Sequence, residues 1–122
     1  MGCRRQKVGG ENMLKPRCRV WLQKGDASVF GDGRARLLRA IRRHGTLRAA
    51  AAELGMAYRT AWLHLRKMET GLGYALVERR TGGPRGGGMR LTMKGEQLLE
   101  RFEVFRDAVD KDLRRRAKEC GL

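Results

Sequence analysis

The chain has 122 residues, with 28 lysines and arginines against 13 aspartates and glutamates, a formal net charge of +15 at pH 7. With 41% hydrophobic residues it suits one domain with a modest core, and so large a positive excess implies a polyanionic partner, nucleic acid first and an anionic membrane surface second. No apolar run approaches the roughly 20 residues of a bilayer span, no apolar stretch follows the basic N-terminus, and Gln6 stands where myristoylation after Met1-Gly2 needs Ser or Thr, so a cytoplasmic protein without membrane contact is expected.

Residues 1–16 hold Gly9-Gly10 and scattered charges with little periodicity, and read as a flexible basic tail ending near Pro16. The remainder, 17–122, reads as one domain. Arg17 to Lys24, with Val20 and Trp21, predicts a short strand. Gly31-Asp-Gly33 is a break, and Asp32 is placed to cap a helix whose stripe is Leu37, Leu38 and Ile41, ringed by arginines and ended by Gly45. Thr46 is placed to cap the next helix, with Leu47, Ala50, Ala51 and Leu54 as its apolar residues. Gly55 breaks it, and a third helix follows to Glu69.

That third helix has two faces. At 100° per residue Ala57, Ala61, Leu65 and Met68 fall together, flanked by Tyr58 and Trp62, while Arg59, Leu63 and Arg66 lie opposite, with Thr60 and Lys67 at the edge. Small Ala50 and Ala51 let two helices cross closely, and Gly55 permits a sharp turn. Residues 46–69 therefore read as a helix-turn-helix whose second helix enters a DNA major groove. Arg59 and Arg66 can fork onto guanine or phosphate, Thr60 can bond a base edge or phosphate, and Lys67 suits a phosphate. Leu63 either touches a thymine methyl or packs against the domain or another subunit. Thr46, Arg48 and Tyr58 complete this part of the interface. Trp62 and Tyr58 fit the edge of a core better than base stacking, and His64 sits at the edge of the buried stripe.

Thr70-Gly-Leu-Gly73 predicts a turn. Residues 75–91 predict a hairpin with strands at Ala75–Arg80 and Met89–Leu91 and a basic, glycine-rich tip. Arg79, Arg80, Thr81, Arg85 and Arg90 lie on or beside it and make it a second DNA contact, a wing; the alternative is a solvated loop. Gly83 to Gly88 has the glycine spacing of a P-loop, but Met89-Arg90 replaces the required Lys and hydroxyl. No nucleophile–base constellation appears, and Cys3, Cys18 and Cys120 lack metal-ligand spacing, so no enzyme, metal or cofactor is expected. Thr92 can cap a long helix over 92–118. Its residues Leu98, Phe102, Phe105, Val109 and Leu113, spaced four, three, four and four, form a near-heptad seam that suits dimerisation or packing within one chain. The fold class is mainly α with a small β wing (α+β), a winged helix-turn-helix with a long C-terminal dimerisation helix.

Gly55 to Trp62, the run Leu76-Val-Glu-Arg-Arg-Thr-Gly-Gly83 and the run Gly86-Gly-Gly-Met-Arg-Leu-Thr92 resemble the N-terminal DNA-binding domain of the ModE family of molybdate-responsive regulators. The arrangement is more distantly similar to the winged helix of LysR-type regulators. The likeness spans roughly residues 17–115 and is most specific in the hairpin. It implies a homodimer on an inverted-repeat operator in double-stranded DNA, Tyr58, Arg59 and Thr60 starting the recognition helix, a wing from Arg80 to Gly88, and a dimer partly joined through the long helix. Two features depart from the family. A chain ending at Leu122 leaves no room for molybdate-binding domains, so molybdate sensing is not predicted, and Ala57 stands where related helices often have a capping Ser.

The leading reading is a sequence-specific, dimeric transcription regulator without its own ligand domain. A non-specific architectural nucleic-acid binder fits the charge equally well, but has no use for outward Leu63 and Thr60. A third reading is a helical interaction subunit for a separate effector-sensing protein.

Overall fold

Leu37, Leu38 and Ile41, the stripe predicted on the first helix, are each at most 1% exposed and form the centre of the core. Around them the computed structural model, which describes residues 14–80 and 87–122, arranges four strands and four helices. The order is β1 (Trp21–Lys24), β2 (Ala27–Gly31), α1 (Asp32–His44), α2 (Leu47–Glu53), α3 (Tyr58–Leu72), β3 (Val77–Arg80), β4 (Gly88–Leu91) and α4 (Met93–Glu119). The strands form two separate antiparallel pairs, β1 with β2 and β3 with β4. Ala50 and Ala51 of α2, Ala61, Leu65 and Met68 of α3, Met89 and Leu91 of β4, and Leu99 and Phe102 of α4 close on the α1 stripe.

Local chemistry explains most boundaries. Thr46 accepts the Ala49 N–H at 3.1 Å, and Thr92 accepts the Gly95 N–H at 3.0 Å, so both hydroxyls cap the helices they precede. Gly45 and Gly73 end α1 and α3 in the left-handed conformation. α3 runs to Leu72, through the turn predicted at Thr70.

Three expectations are corrected. First, the single strand before α1 is one half of a hairpin. Ala27–Gly31 returns along Trp21–Lys24, and its Val29 and Phe30 are both buried, which breaks the alternation that marks a strand. Second, Asp32 does not cap α1, whose N-cap residue is Gly31 with no side-chain bond. The Asp32 carboxylate instead accepts the Val20 N–H at 3.0 Å and pairs with Arg106 at 2.9 Å. Arg106 also donates to the Cys18 carbonyl at 2.7 Å and pairs with Asp110, strapping the segment before β1 to α4.

Third, the α4 seam divides. Phe102 is 3% exposed and meets the Phe30 ring edge-on at 5.1 Å, so it is a core residue rather than a dimer contact. Leu98 is half-buried against the same core, and Leu99, beside the predicted stripe, is fully buried. The first turns of α4 lie on α1 and β4, and this selects Gly95, Leu99 and Phe102, at four- and three-residue spacing, as the inner face. Farther along, Phe105 and Val104 are exposed, with Val109 and Leu113 half-exposed.

Candidate nucleic-acid interface

The α2–α3 pair has the tight turn its sequence requires. Gly55 takes φ +68°, a conformation open to glycine, and the Met56 N–H bonds the Ala51 carbonyl at 3.0 Å. Ala50 and Ala51 are 0% and 2% exposed, so α3 crosses α2 closely. Ala57 precedes α3 without a side-chain cap, in keeping with the departure noted at that position.

On α3 the two predicted faces are distinct, except that Ala57, expected on the inner face, is the exposed N-cap residue. Ala61, Leu65 and Met68 are fully buried, while Tyr58, Arg59, Thr60, Leu63, Arg66 and Lys67 are exposed. Leu63 is 55% exposed, so it does not pack against its own domain. Trp62 is half-buried against the core, as its flanking position implies. Arg48 on α2 sets its guanidinium 4.9 Å above the Tyr58 ring, which orients both side chains beside the α3 N-terminus. Among the described residues, Arg48, Arg59, Arg66 and Lys67 make no ion pair.

The wing is built from β3 and β4 in the register Val77↔Leu91, Glu78↔Arg90, Arg79↔Met89 and Arg80↔Gly88. Met89 donates to the Gly45 carbonyl at 2.7 Å, fastening β4 to the α1–α2 turn. The structure separates the predicted wing cations. Arg79 is exposed and makes no ion pair among the described residues. Arg90 is paired with Glu78 at 2.8 Å across the hairpin. The Arg80 guanidinium folds over Gly45 and Gly88, where it would lie within 3.3 Å of a Cβ on either glycine. Thr81 and Arg85 lie outside the described residues.

One organising residue escaped the sequence reading. Glu69, on the last turns of α3, accepts the Leu76 N–H at 2.8 Å and the Val77 N–H at 3.3 Å, both through Oε2. The Thr92 N–H bonds the Leu76 carbonyl at 2.9 Å, and the Thr92 hydroxyl donates to the Ala75 carbonyl at 2.8 Å. α3, the wing root and α4 therefore meet at Leu76. Only the flanking position of a glutamate before a glycine turn hinted at this in the sequence.

Two ionisable groups are perturbed nearby. Glu53 is bonded by His44 at 2.5 Å and by Arg43, and these partners hold its carboxyl below the usual range. His64 is held below the ordinary histidine value by burial first, then by Arg34 and Lys67. Among the described residues, no group of three or more His, Cys, Asp or Glu could hold a metal, and no helix is long and apolar enough to cross a membrane.

A helix, tight turn, exposed cationic helix and two-stranded hairpin define a winged helix-turn-helix protein. Residues 33–96 match the model of the bacterial regulatory helix-turn-helix proteins of the lysR family, and the chain belongs to that family. It is 40% identical over 92 residues to the molybdenum-pterin-binding protein MopA of Rhodobacter capsulatus, covering 75% of this chain and 35% of MopA. It is 39% identical over 72 residues to the transcriptional regulator ModE of Haemophilus influenzae, covering 59% of this chain and 28% of that protein. The chain thus spans about a third of the length of the curated relatives it matches. Among solved structures it is similar to the CbnR DBD–DNA complex, with a TM-score of 0.53 and 26% identity over 70% of this chain and 93% of that one.

Proposed function

We propose that this chain binds double-stranded DNA sequence-specifically, as a transcription regulator, with α3 in the major groove. The observation that carries this reading is the exposed face of α3. It presents Arg59, Thr60, Leu63 and Arg66 together, with no carboxylate pairing either arginine among the described residues. These groups match the donors, acceptors and methyl groups of base edges, whereas a surface for phosphates alone has no use for Leu63. Tyr58 and Arg48 flank this face, and Thr46 holds the α2 N-terminus beside it. Arg79 is exposed and makes no ion pair among the described residues, which suits a phosphate contact, while Arg90 is engaged by Glu78 and Arg80 lies against Gly45 and Gly88. Similarity to a DNA-bound domain and to a transcriptional regulator supports the reading.

The exposed Phe105, with Val109 and Leu113 beyond it, supports a homodimer joined through the outer part of α4, and a two-fold dimer would match an inverted repeat. A separate effector-sensing protein remains a compatible partner for the same surface.

The test is fluorescence anisotropy with the protein's own promoter fragment and a scrambled duplex, each across a salt series. Much tighter promoter binding at moderate salt is expected. Equal affinities that fall together with salt would overturn sequence-specific reading and leave a non-specific binder.

A further inference from the structure

Thr60, His64 and Lys67 succeed one another at four- and three-residue spacing along one flank of α3, beside the exposed face. Arg34, in the first turn of α1, is held on β2 by donating to the Ser28 carbonyl at 3.0 Å, and not by a carboxylate. Arg34 and Lys67 both act electrostatically on the His64 imidazole. Its Nδ1 is enclosed with no hydrogen-bond partner among the described residues.

Among the described residues no carboxylate is bonded to Arg34, His64 or Lys67, Asp26 before β2 and Glu69 on α3 included. α1 contributes Arg34 and α3 contributes Lys67, while β2 has no ionisable side chain. On α2, Arg48 is directed to Tyr58 and Glu53 to Arg43 and His44. Asp32 is engaged by Val20 and Arg106. Two cations thus act on an imidazole that has no carboxylate partner; its Nδ1 is enclosed, so an anion would approach the ring at Nε2. A helix lying in the major groove has its flanks against the phosphate rows that border it.

We propose that Arg34, His64 and Lys67 contact a DNA backbone phosphate at the edge of the groove that α3 enters, and that His64 takes up a proton as the phosphate arrives. The inference rests on the DNA-binding reading above. A phosphate oxygen close to the ring favours imidazolium and offsets the repulsion from the two cations. The imidazole then titrates higher in the complex than in the free protein. Affinity therefore rises as pH falls through the interval between those two values.

The experiment measures affinity for one duplex from pH 8 to pH 5.5 at constant ionic strength, with wild type, His64→Gln and His44→Gln. Wild type gains about three- to tenfold between pH 7.5 and 5.5 over any gain of His64→Gln, as one-proton linkage allows. His44→Gln follows wild type, since His44 already has Glu53 as its partner. In a salt series Arg34→Ala lowers the log–log slope by about 0.9, one phosphate contact. Coincident wild-type and His64→Gln profiles, or an unchanged slope in Arg34→Ala, would overturn the proposal while leaving DNA binding standing. A folded wild type that binds no duplex at any pH would overturn both this inference and the reading beneath it.

Discussion

The Leu76 amide donates to Glu69 Oε2 at 2.8 Å, so the end of α3 and the root of the wing are joined by one carboxylate. The same oxygen takes the Val77 amide. Glu69→Ala leaves both half-buried amides without this partner and is expected to cost about 1–2 kcal/mol, read from the urea midpoint. Glu69→Gln keeps one acceptor and should lose less. A neutral Glu69→Ala would mean that water serves the two amides equally well.

Arg59 is exposed and makes no ion pair among the described residues, so its removal should leave stability within about 0.5 kcal/mol of wild type. If it forks onto a guanine, Arg59→Ala weakens the preferred site by about 1–3 kcal/mol and a scrambled duplex much less. Equal losses on both duplexes would make it a phosphate contact.

Phe102 and Phe105 lie on the same helix three residues apart and predict opposite phenotypes. Phe102→Ala empties a core site against Phe30 and is expected to cost about 3–5 kcal/mol by chemical denaturation. Phe105→Asp should leave the fold intact and yield monomers in sedimentation. Dimers that persist in Phe105→Asp would place the interface elsewhere.

Glu53 gives a pH-dependent term whose sign is fixed. Its carboxyl is lowered by His44 and then by Arg43, so the folded chain binds that proton less readily than the unfolded chain. The stabilisation is complete above the unfolded value near 4.5 and is lost as pH falls through the folded value. The difference in urea midpoint between wild type and Glu53→Gln should therefore be present at neutral pH and shrink below pH 4.5. A difference unchanged into strong acid would assign it to packing.

Local signals made much of the fold legible. Thr46, Gly55 and Thr92 act through neighbouring backbone, and the α3 stripe repeats at helical spacing, so a few adjacent residues suffice. The β1–β2 hairpin was hidden because Val29 and Phe30 are both buried, and its pairing with Trp21–Lys24 is not written in alternation. Asp32 misled because a carboxylate at a helix start resembles a cap, while its partners, Val20 and Arg106, are distant in sequence. At the candidate site the helix positions could be read as exposed from periodicity alone. The engagement of Arg90 by Glu78 and the folding of Arg80 over Gly45 depend on strand register and tertiary placement, which no short spacing encodes.

The approach of Gly95 to Leu76 has a mechanical meaning. A Cβ on Gly95 would stand 2.3 Å from the Leu76 carbonyl oxygen, so the start of α4 has no clearance over the wing root. Arg106 ties α4 to Asp32 and to the Cys18 carbonyl, and residues 107–119 extend the helix by roughly 20 Å beyond that tie. The helix thus has a seated half and a projecting half of similar length. With no clearance at Gly95, the seated half of α4 and the carbonyl from which the hairpin springs form one joint, so the attitude of the wing follows that of the seated helix.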